Sequence, residues 1–246
     1  MKPLLGSLYR WLFRRHQSES RELAALSNGI HAFLDQGDPK RATEKCASLQ
    51  RFLESLAKDC DYADVRWCAG LGYFDLGFAY RRMLKKPEAE VAYGESIGQL
   101  ESLTEDRHYS HVASSRLAGC HNHLGLLQMD CGHLEQAIAP LELAIQMRRQ
   151  VTTKWPDDRE NQVYLAGSLC NRAHVASQQG EREAAIAWYD ESLRVLEKAV
   201  PPCECGCRDV IASAVSQAMG HPHWITTAEQ FRTNAEAGRR WLTVEK

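Results

Sequence analysis

Several features that would assign a function directly are missing from this sequence of 246 residues. No apolar run approaches the ~20 residues that a membrane-spanning helix requires. The formal net charge is −2 at pH 7, so no excess of positive charge predicts binding to bulk nucleic acid. The sequence has no glycine-rich phosphate loop, nucleophile elbow or His-Glu-x-x-His motif. We therefore expect a protein that is not an enzyme.

A recognisable secretory signal peptide is also missing, which bears on the nine cysteines. Nine is an odd number, and six of these cysteines are scattered through predicted helices. Cys46 falls on the buried face of one such helix, where a small apolar thiol fits. Reduced thiols and a cytoplasmic location are expected from this pattern.

What the chain does contain is a pattern that recurs with a stride of 47 to 48 residues. Each copy has a small residue, a turn glycine, an alanine and a larger residue four positions after the alanine. The two clearest copies are Gly125, Gly132, Ala137 and Leu141, then Ala173, Gly180, Ala185 and Tyr189. Closely crossing helices need small side chains where their backbones approach, and a glycine with positive φ can end the first helix. Each copy therefore predicts a helical hairpin.

Two further copies precede these. Leu76-Gly77 with Ala89 and Tyr93 fits the pattern well, whereas Ile30 replaces the small residue in the first copy. Leu84 stands at the turn of the second copy in place of glycine, so a different loop is expected there. The four alanines in register are Ala42, Ala89, Ala137 and Ala185. Together the copies predict four stacked hairpins over residues 18–200.

These residues resemble the tetratricopeptide repeat, which has Leu-Gly or Leu-Ala on its first helix, Gly at the turn, and Ala, Tyr or Leu, and Ala on its second. The usual repeat is about 34 residues long, so this chain is more similar to the long-helix branch of the family, of bacterial and kinesin-light-chain-like type. The resemblance implies an all-α fold, an α-solenoid with a right-handed superhelix of four to five antiparallel hairpins. It also implies a concave surface, lined by the first helices, that binds a protein or peptide.

The six candidate partner-binding residues are polar and fall on the predicted inner side of the first helices. Amides can bond to the backbone of an extended peptide, and arginines can hold a carboxylate. The alternative interpretation is that they are ordinary solvated polar residues on a helix face. They are Arg81, Arg82, Asn122, His123, Asn171 and His174. The leading functional interpretation is therefore a scaffold or adaptor for protein partners.

Residues 1–17 form a separate basic amphipathic segment with four cations and no acid. Three interpretations remain open from the sequence: a helix that caps the first hairpin, a segment that touches an anionic membrane or acts in targeting, and an unstructured tail. The second would make the protein a peripheral membrane adaptor, which is the alternative to the cytoplasmic scaffold.

Residues 201–246 leave the repeat register after Pro201-Pro202 and are predicted as a cysteine-rich linker followed by atypical capping helices, residues 209–219 and 226–242. Cys203, Cys205, Cys207 and His223 have the side-chain types of zinc ligands. Cys-x-Cys spacing is less specific than Cys-x2-Cys, so a redox role and a plain linker with exposed thiols stay open. No cofactor other than zinc is suggested by the sequence.

Overall fold

The computed structural model describes residues 17–56, 62–200 and 223–244, and all regular secondary structure in these ranges is α-helix. In chain order the helices are α1 Gln17–Asp35, α2 Pro39–Leu56, α3 Ala63–Arg82, α4 Lys86–Glu101, α5 Ser110–Asp130, α6 Leu134–Lys154, α7 Arg159–Gln178, α8 Arg182–Ala199 and α9 His223–Val244. The predicted all-α fold is thereby confirmed. No helix within the described ranges is both long and apolar enough to cross a membrane.

The first eight helices form four hairpins, each closed by a connection of three residues. The alanines that define the repeat lie where the two helices of a hairpin meet, and all four are 0% exposed: Ala42, Ala89, Ala137 and Ala185. Small residues on the first helices are equally necessary, because a Cβ on Gly77 would lie 2.6 Å from the Tyr93 ring. The predicted stride of buried small residues is confirmed.

Each of the four connections within a hairpin contains one residue whose backbone is in the left-handed region of φ and ψ. Gly37, Gly132 and Gly180 have φ between 71° and 79°, and Leu84 has φ 60° at the equivalent place. In all four turns the N–H of the following residue donates to the carbonyl five residues earlier at 2.9 Å, as Lys85 does to Tyr80. The expectation of a different loop at Leu84 is therefore wrong: the turn keeps its geometry, and an exposed leucine adopts the strained conformation.

Aspartates fix the starts of two helices as their positions predict. The side chain of Asp38 accepts from the Arg41 N–H at 3.1 Å at the start of α2. The side chain of Asp158 accepts from the Asn161 N–H at 3.0 Å at the start of α7. Each bond satisfies a backbone donor that the first helical turn leaves unpaired.

The helices gather into two compact units, a first unit that ends at His123 and a second unit that begins at Leu124, within α5. In the first unit α1 packs against α2 and α3, and α3 also packs against α2 and α4. Ile30, Leu49 and Leu53 are fully buried between α1, α2 and α3. This arrangement leaves one side of each first helix at the surface, which is where the candidate residues lie.

In the second unit α7 packs against α6 and α8, and α9 packs against α7 and α8. Gly167 allows the close approach of α9, because an added Cβ would lie 2.5 Å from the Phe231 ring. The predicted helix over residues 226–242 is thus present within α9, and its apolar residues pack on the last hairpin. The predicted helix over residues 209–219 and the basic segment 1–16 lie outside the described residues, so the proposed domain boundaries stay predictions.

Candidate partner-binding surface

Residues one repeat apart occupy equivalent places on successive first helices, and in the first unit they touch. His31 on α1 and Phe78 on α3 are 47 positions apart, and their ring centroids are 5.5 Å apart. Asp35 and Arg82 share the same offset and form an ion pair of 2.8 Å. The stride of the sequence therefore becomes a row of side-chain contacts along the first helices.

His123 on α5 lies in an aromatic cluster, which we define as His31, Phe74, Phe78, Tyr93 and His123. Its imidazole stacks on the Tyr93 ring at 5.6 Å with an interplanar angle of 12°. The edges of Phe74 and Phe78 meet it at 5.2 and 5.7 Å. These offset and edge-on geometries suit the ring quadrupoles. The predicted site residue His123 is therefore half-buried and held in place by its neighbours.

The remaining candidates of the first unit differ in how far their side chains already take part in contacts within the fold. The guanidinium of Arg82 already binds the Asp35 carboxylate, although both side chains remain partly accessible to solvent. Arg81 and Asn122 are each half-buried. A carboxylate from a partner would therefore have to share Arg82 with Asp35, which makes that residue a weaker candidate than its charge alone suggests.

On α7, in the second unit, the corresponding face is polar. Asn171 is half-buried and His174 is exposed, and the His174 Nε2 lies 2.9 Å from the Gln178 Nε2. His174 holds the place that Phe78 holds 96 residues earlier, so a solvated imidazole replaces a packed ring. In the first unit the candidate His123 is thus in ring contact with Phe78, whereas in the second unit Asn171 and His174 lie three residues apart on α7.

Arg172 on α7 was not identified as a buried residue from the sequence. Arg172 is only 8% exposed and stands immediately before Ala173, where the earlier repeats have Leu76 and Leu124. Its Nε donates to the Glu142 Oε1 at 3.0 Å, and its guanidinium carbon lies 5.8 Å from the centre of the Trp188 ring. The available signal was the break in the leucine column at residue 172.

The cysteines of the described ranges are mostly structural. Cys46, Cys68, Cys120 and Cys170 are buried and form no disulfide. Burial raises the pKa of the Cys46 thiol to about 11 and that of the Cys170 thiol to about 12. Both thiols are therefore protonated at neutral pH and are poor nucleophiles and metal ligands. The predicted packing role of Cys46 is confirmed by its complete burial.

A metal centre is not formed by the part of the chain that the structure describes, where no three His, Cys, Asp or Glu side chains converge suitably. The predicted ligands Cys203, Cys205 and Cys207 lie outside that part. His223 is the first residue of α9. The zinc site therefore stays a prediction, as do the redox and linker alternatives.

Four hairpins with a constant stride and buried small-residue contacts define a helical-repeat protein. Residues 165–202, from the middle of α7 to just beyond α8, match the family model of the tetratricopeptide repeat. The match shows that this part of the chain is similar to the tetratricopeptide repeat, although the stride of 47 to 48 residues is longer than the usual ~34 residues.

Two of the solved structures that are similar to the chain share little sequence identity with it. The crystal structure of BtubC (BKLC) from P. vanneervenii has 14% identity and a TM-score of 0.45, over 93% of this chain and 94% of that one. The crystal structure of the de novo designed helical repeat protein DHR64 has 14% identity and a TM-score of 0.27, over 92% and 97%. A comparison with curated proteins found no match.

Proposed function

We propose that the protein is a non-enzymatic scaffold whose first helices bind segments of partner proteins. The proposal is supported above all by the row of equivalent residues along these helices, where half-buried rings of His31 and Phe78 lie beside the Asp35–Arg82 ion pair. Rings with accessible faces next to partly exposed charges are typical of surfaces that bind proteins.

The polar candidates give this surface the chemistry that an extended segment needs. An asparagine amide can donate to a backbone carbonyl and accept from a backbone N–H at once, which suits Asn122 and Asn171. Arg81 offers a guanidinium for an acidic side chain or a terminal carboxylate. Within either unit, a partner segment would be bound by several such weak contacts.

Affinity capture with cross-linking from the native cell tests the proposal. The intact chain is compared with one variant in each unit, Arg81→Ala with Asn122→Ala, and Asn171→Ala with His174→Ala. A control variant replaces three exposed residues of the second helices, Glu90, Gln136 and Glu197, with alanine. We expect a defined set of partners to be lost from a first-helix variant and kept by the control.

Circular dichroism and thermal melting must show that each variant keeps the fold. If both first-helix variants capture the same partners as the intact chain while remaining folded, the binding surface lies elsewhere and the proposal is wrong.

A further inference from the structure

A groove of about 670 Å³ lies in the second unit between α6 and α8. Its apolar part is formed by Ile145 and Trp188, and its charged part by Glu142, Arg149 and Lys154. These residues belong to second helices, so the groove is separate from the first-helix surface proposed above. Its size is that of a site for a few side chains of a bound segment.

Arg172 from α7 contacts two residues that line this groove, Glu142 and Trp188. Its Nη1 is buried and has no hydrogen-bond partner among the residues that the structure describes. A guanidinium has five donors, and a buried donor without an acceptor destabilises the folded state. Burial of this charge is thus incompletely compensated within the described part of the protein.

The repeat itself shows that the hairpin does not require an arginine here. Leu76 and Leu124 hold the same position in the second and third hairpins, beside Gly77 and Gly125. Trp188 stands where the third hairpin has Pro140 and the second has Ala92, so this position varies along the repeat. Arg172 is costly to bury, and packing of the hairpin alone does not account for it.

We propose that this groove binds an acidic segment of a partner protein. A ligand carboxylate can supply the acceptor that the Arg172 Nη1 lacks, once the Glu142 side chain, which is half exposed, moves aside. Apolar side chains of the segment pack on Trp188, which is half-buried. The groove residues, Arg172 and Glu191, which pairs with Arg149, include three cations and two acids, so the local charge is positive and favours an anionic ligand.

The test uses a fluorescent 12-residue peptide of repeating Asp-Glu-Leu, measured by anisotropy against the intact chain. Peptides of repeating Asn-Gln-Leu and Lys-Arg-Leu serve as neutral and basic probes of the same length. We expect saturable binding of the acidic peptide that weakens as salt rises, and at least ten-fold weaker binding of the other two.

The decisive variant is Arg172→Leu, which restores the residue of the other repeats. We expect acidic-peptide binding at least ten-fold weaker while the melting temperature stays equal to or above that of the intact chain. A merely structural arginine would instead lower the melting temperature. Arg149→Gln, at the partly exposed rim, is expected to weaken binding several-fold, and Arg194→Gln, exposed on α8 and outside the groove, to leave it unchanged.

The proposal is overturned if the acidic peptide does not bind, if Arg172→Leu binds it equally well, or if the basic peptide is preferred. It is also overturned if sedimentation shows that the groove joins two copies of this chain, with dissociation on Arg172→Leu. The first-helix variants Asn171→Ala and His174→Ala should leave peptide binding intact, so failure here is distinguishable from failure of the scaffold proposal.

Discussion

The same place in the repeat is filled by Leu76 in the first unit and by Arg172 in the second, and both are buried, at 2% and 8% exposed. The small residues next to them, Gly77 and Ala173, both allow two helices to approach closely. The groove above Leu76, between α2 and α4, is about 280 Å³ and is lined largely by tyrosines and apolar residues. The groove associated with Arg172 is larger and has cations, whereas the charged residues of the groove at Leu76 are the acids Glu88 and Glu95.

The comparison shows that the hairpin depends on the small residue and tolerates a change at its neighbour. The buried serines support the same conclusion, since Ser96 donates to the Gly70 carbonyl at 2.7 Å and Ser192 to the Ala166 carbonyl at 2.8 Å. Equivalent contacts that maintain helix spacing are therefore the same in both units. Positions next to them can acquire a polar function without loss of the fold.

The largest effect should come from placing the arginine in the wrong unit. In Leu76→Arg the new charge would be buried with alanines at the places of Glu142 and Trp188, namely Ala47 and Ala92. We expect a loss of about 3–5 kcal/mol in the free energy of unfolding, because these alanines offer the buried charge neither the carboxylate nor the ring that Arg172 contacts. Urea denaturation measures it, and adding Ala47→Glu should recover part of the loss. An undiminished stability of Leu76→Arg would contradict the comparison.

A smaller effect is expected at the small residue itself. In Gly77→Ala the added methyl would lie 2.6 Å from the fully buried Tyr93 ring, so we expect a loss of about 1–3 kcal/mol. Ala173→Gly, which only removes a methyl from the equivalent place, should cost about 1 kcal/mol through lost helix propensity. Chemical denaturation of both variants compares them, and equal costs would mean that the two seams are packed alike.

The turns should give an effect of opposite sign in the two units. Leu84→Gly removes a left-handed leucine that is 77% exposed, so we expect the protein to gain about 1 kcal/mol. Gly180→Leu creates the same conflict in the second unit and should lose about 1 kcal/mol. Shifts in melting temperature report both. A destabilised Leu84→Gly would show that the leucine side chain contributes contacts that outweigh its backbone strain.

At neutral pH the smallest effect is that of the Cys170 thiol, which is absent there and appears only in alkali. Burial raises the pKa of Cys170 to about 12 from 9.0, so the folded state holds this proton more tightly than the unfolded chain. Its contribution is complete below pH 9.0 and falls by about 1.4 kcal/mol per pH unit as the pH rises towards 12. Burial raises the pKa of Cys46 to about 11, so its contribution to stability falls between pH 9.0 and about pH 11.

Urea denaturation from pH 8 to 11 tests this for Cys170→Ala against the intact chain. Above pH 9 the free energy of unfolding should decline less steeply for the variant than for the intact chain. Losses of stability from other groups that titrate in alkali should be the same in both proteins. Parallel curves for the two proteins would rule out a protonated Cys170 as a source of alkaline instability.

The hairpins could be predicted from the sequence because small residues, turns and capping aspartates recur at fixed intervals. Ala42 and Ala185 were placed correctly by that interval alone, and both are fully buried. The turn at Leu84 was predicted wrongly, since the sequence rule assumes that only glycine takes positive φ. The packing of the hairpin supplies enough energy to impose that conformation on a leucine.

The sequence predicted on which helices the candidate residues lie. It predicted less well which side chains they contact. His123 falls on a first helix by its register, but its stacking on Tyr93 depends on how closely α4 approaches α5. Arg172 was missed because a basic residue on a helix is usually solvated, and only the packing of α6 and α8 around it makes it buried.

The sequence by itself determined the number of hairpins from residue 18 to residue 200, their stride and the residues at their seams, because helix crossing depends on local side-chain size at regular positions. The tertiary structure alone decided which polar side chains are enclosed and which remain available, as with Arg172 and His174. That choice depends on contacts between helices distant in sequence, since burial and the pairing of charge are properties of the whole packed unit.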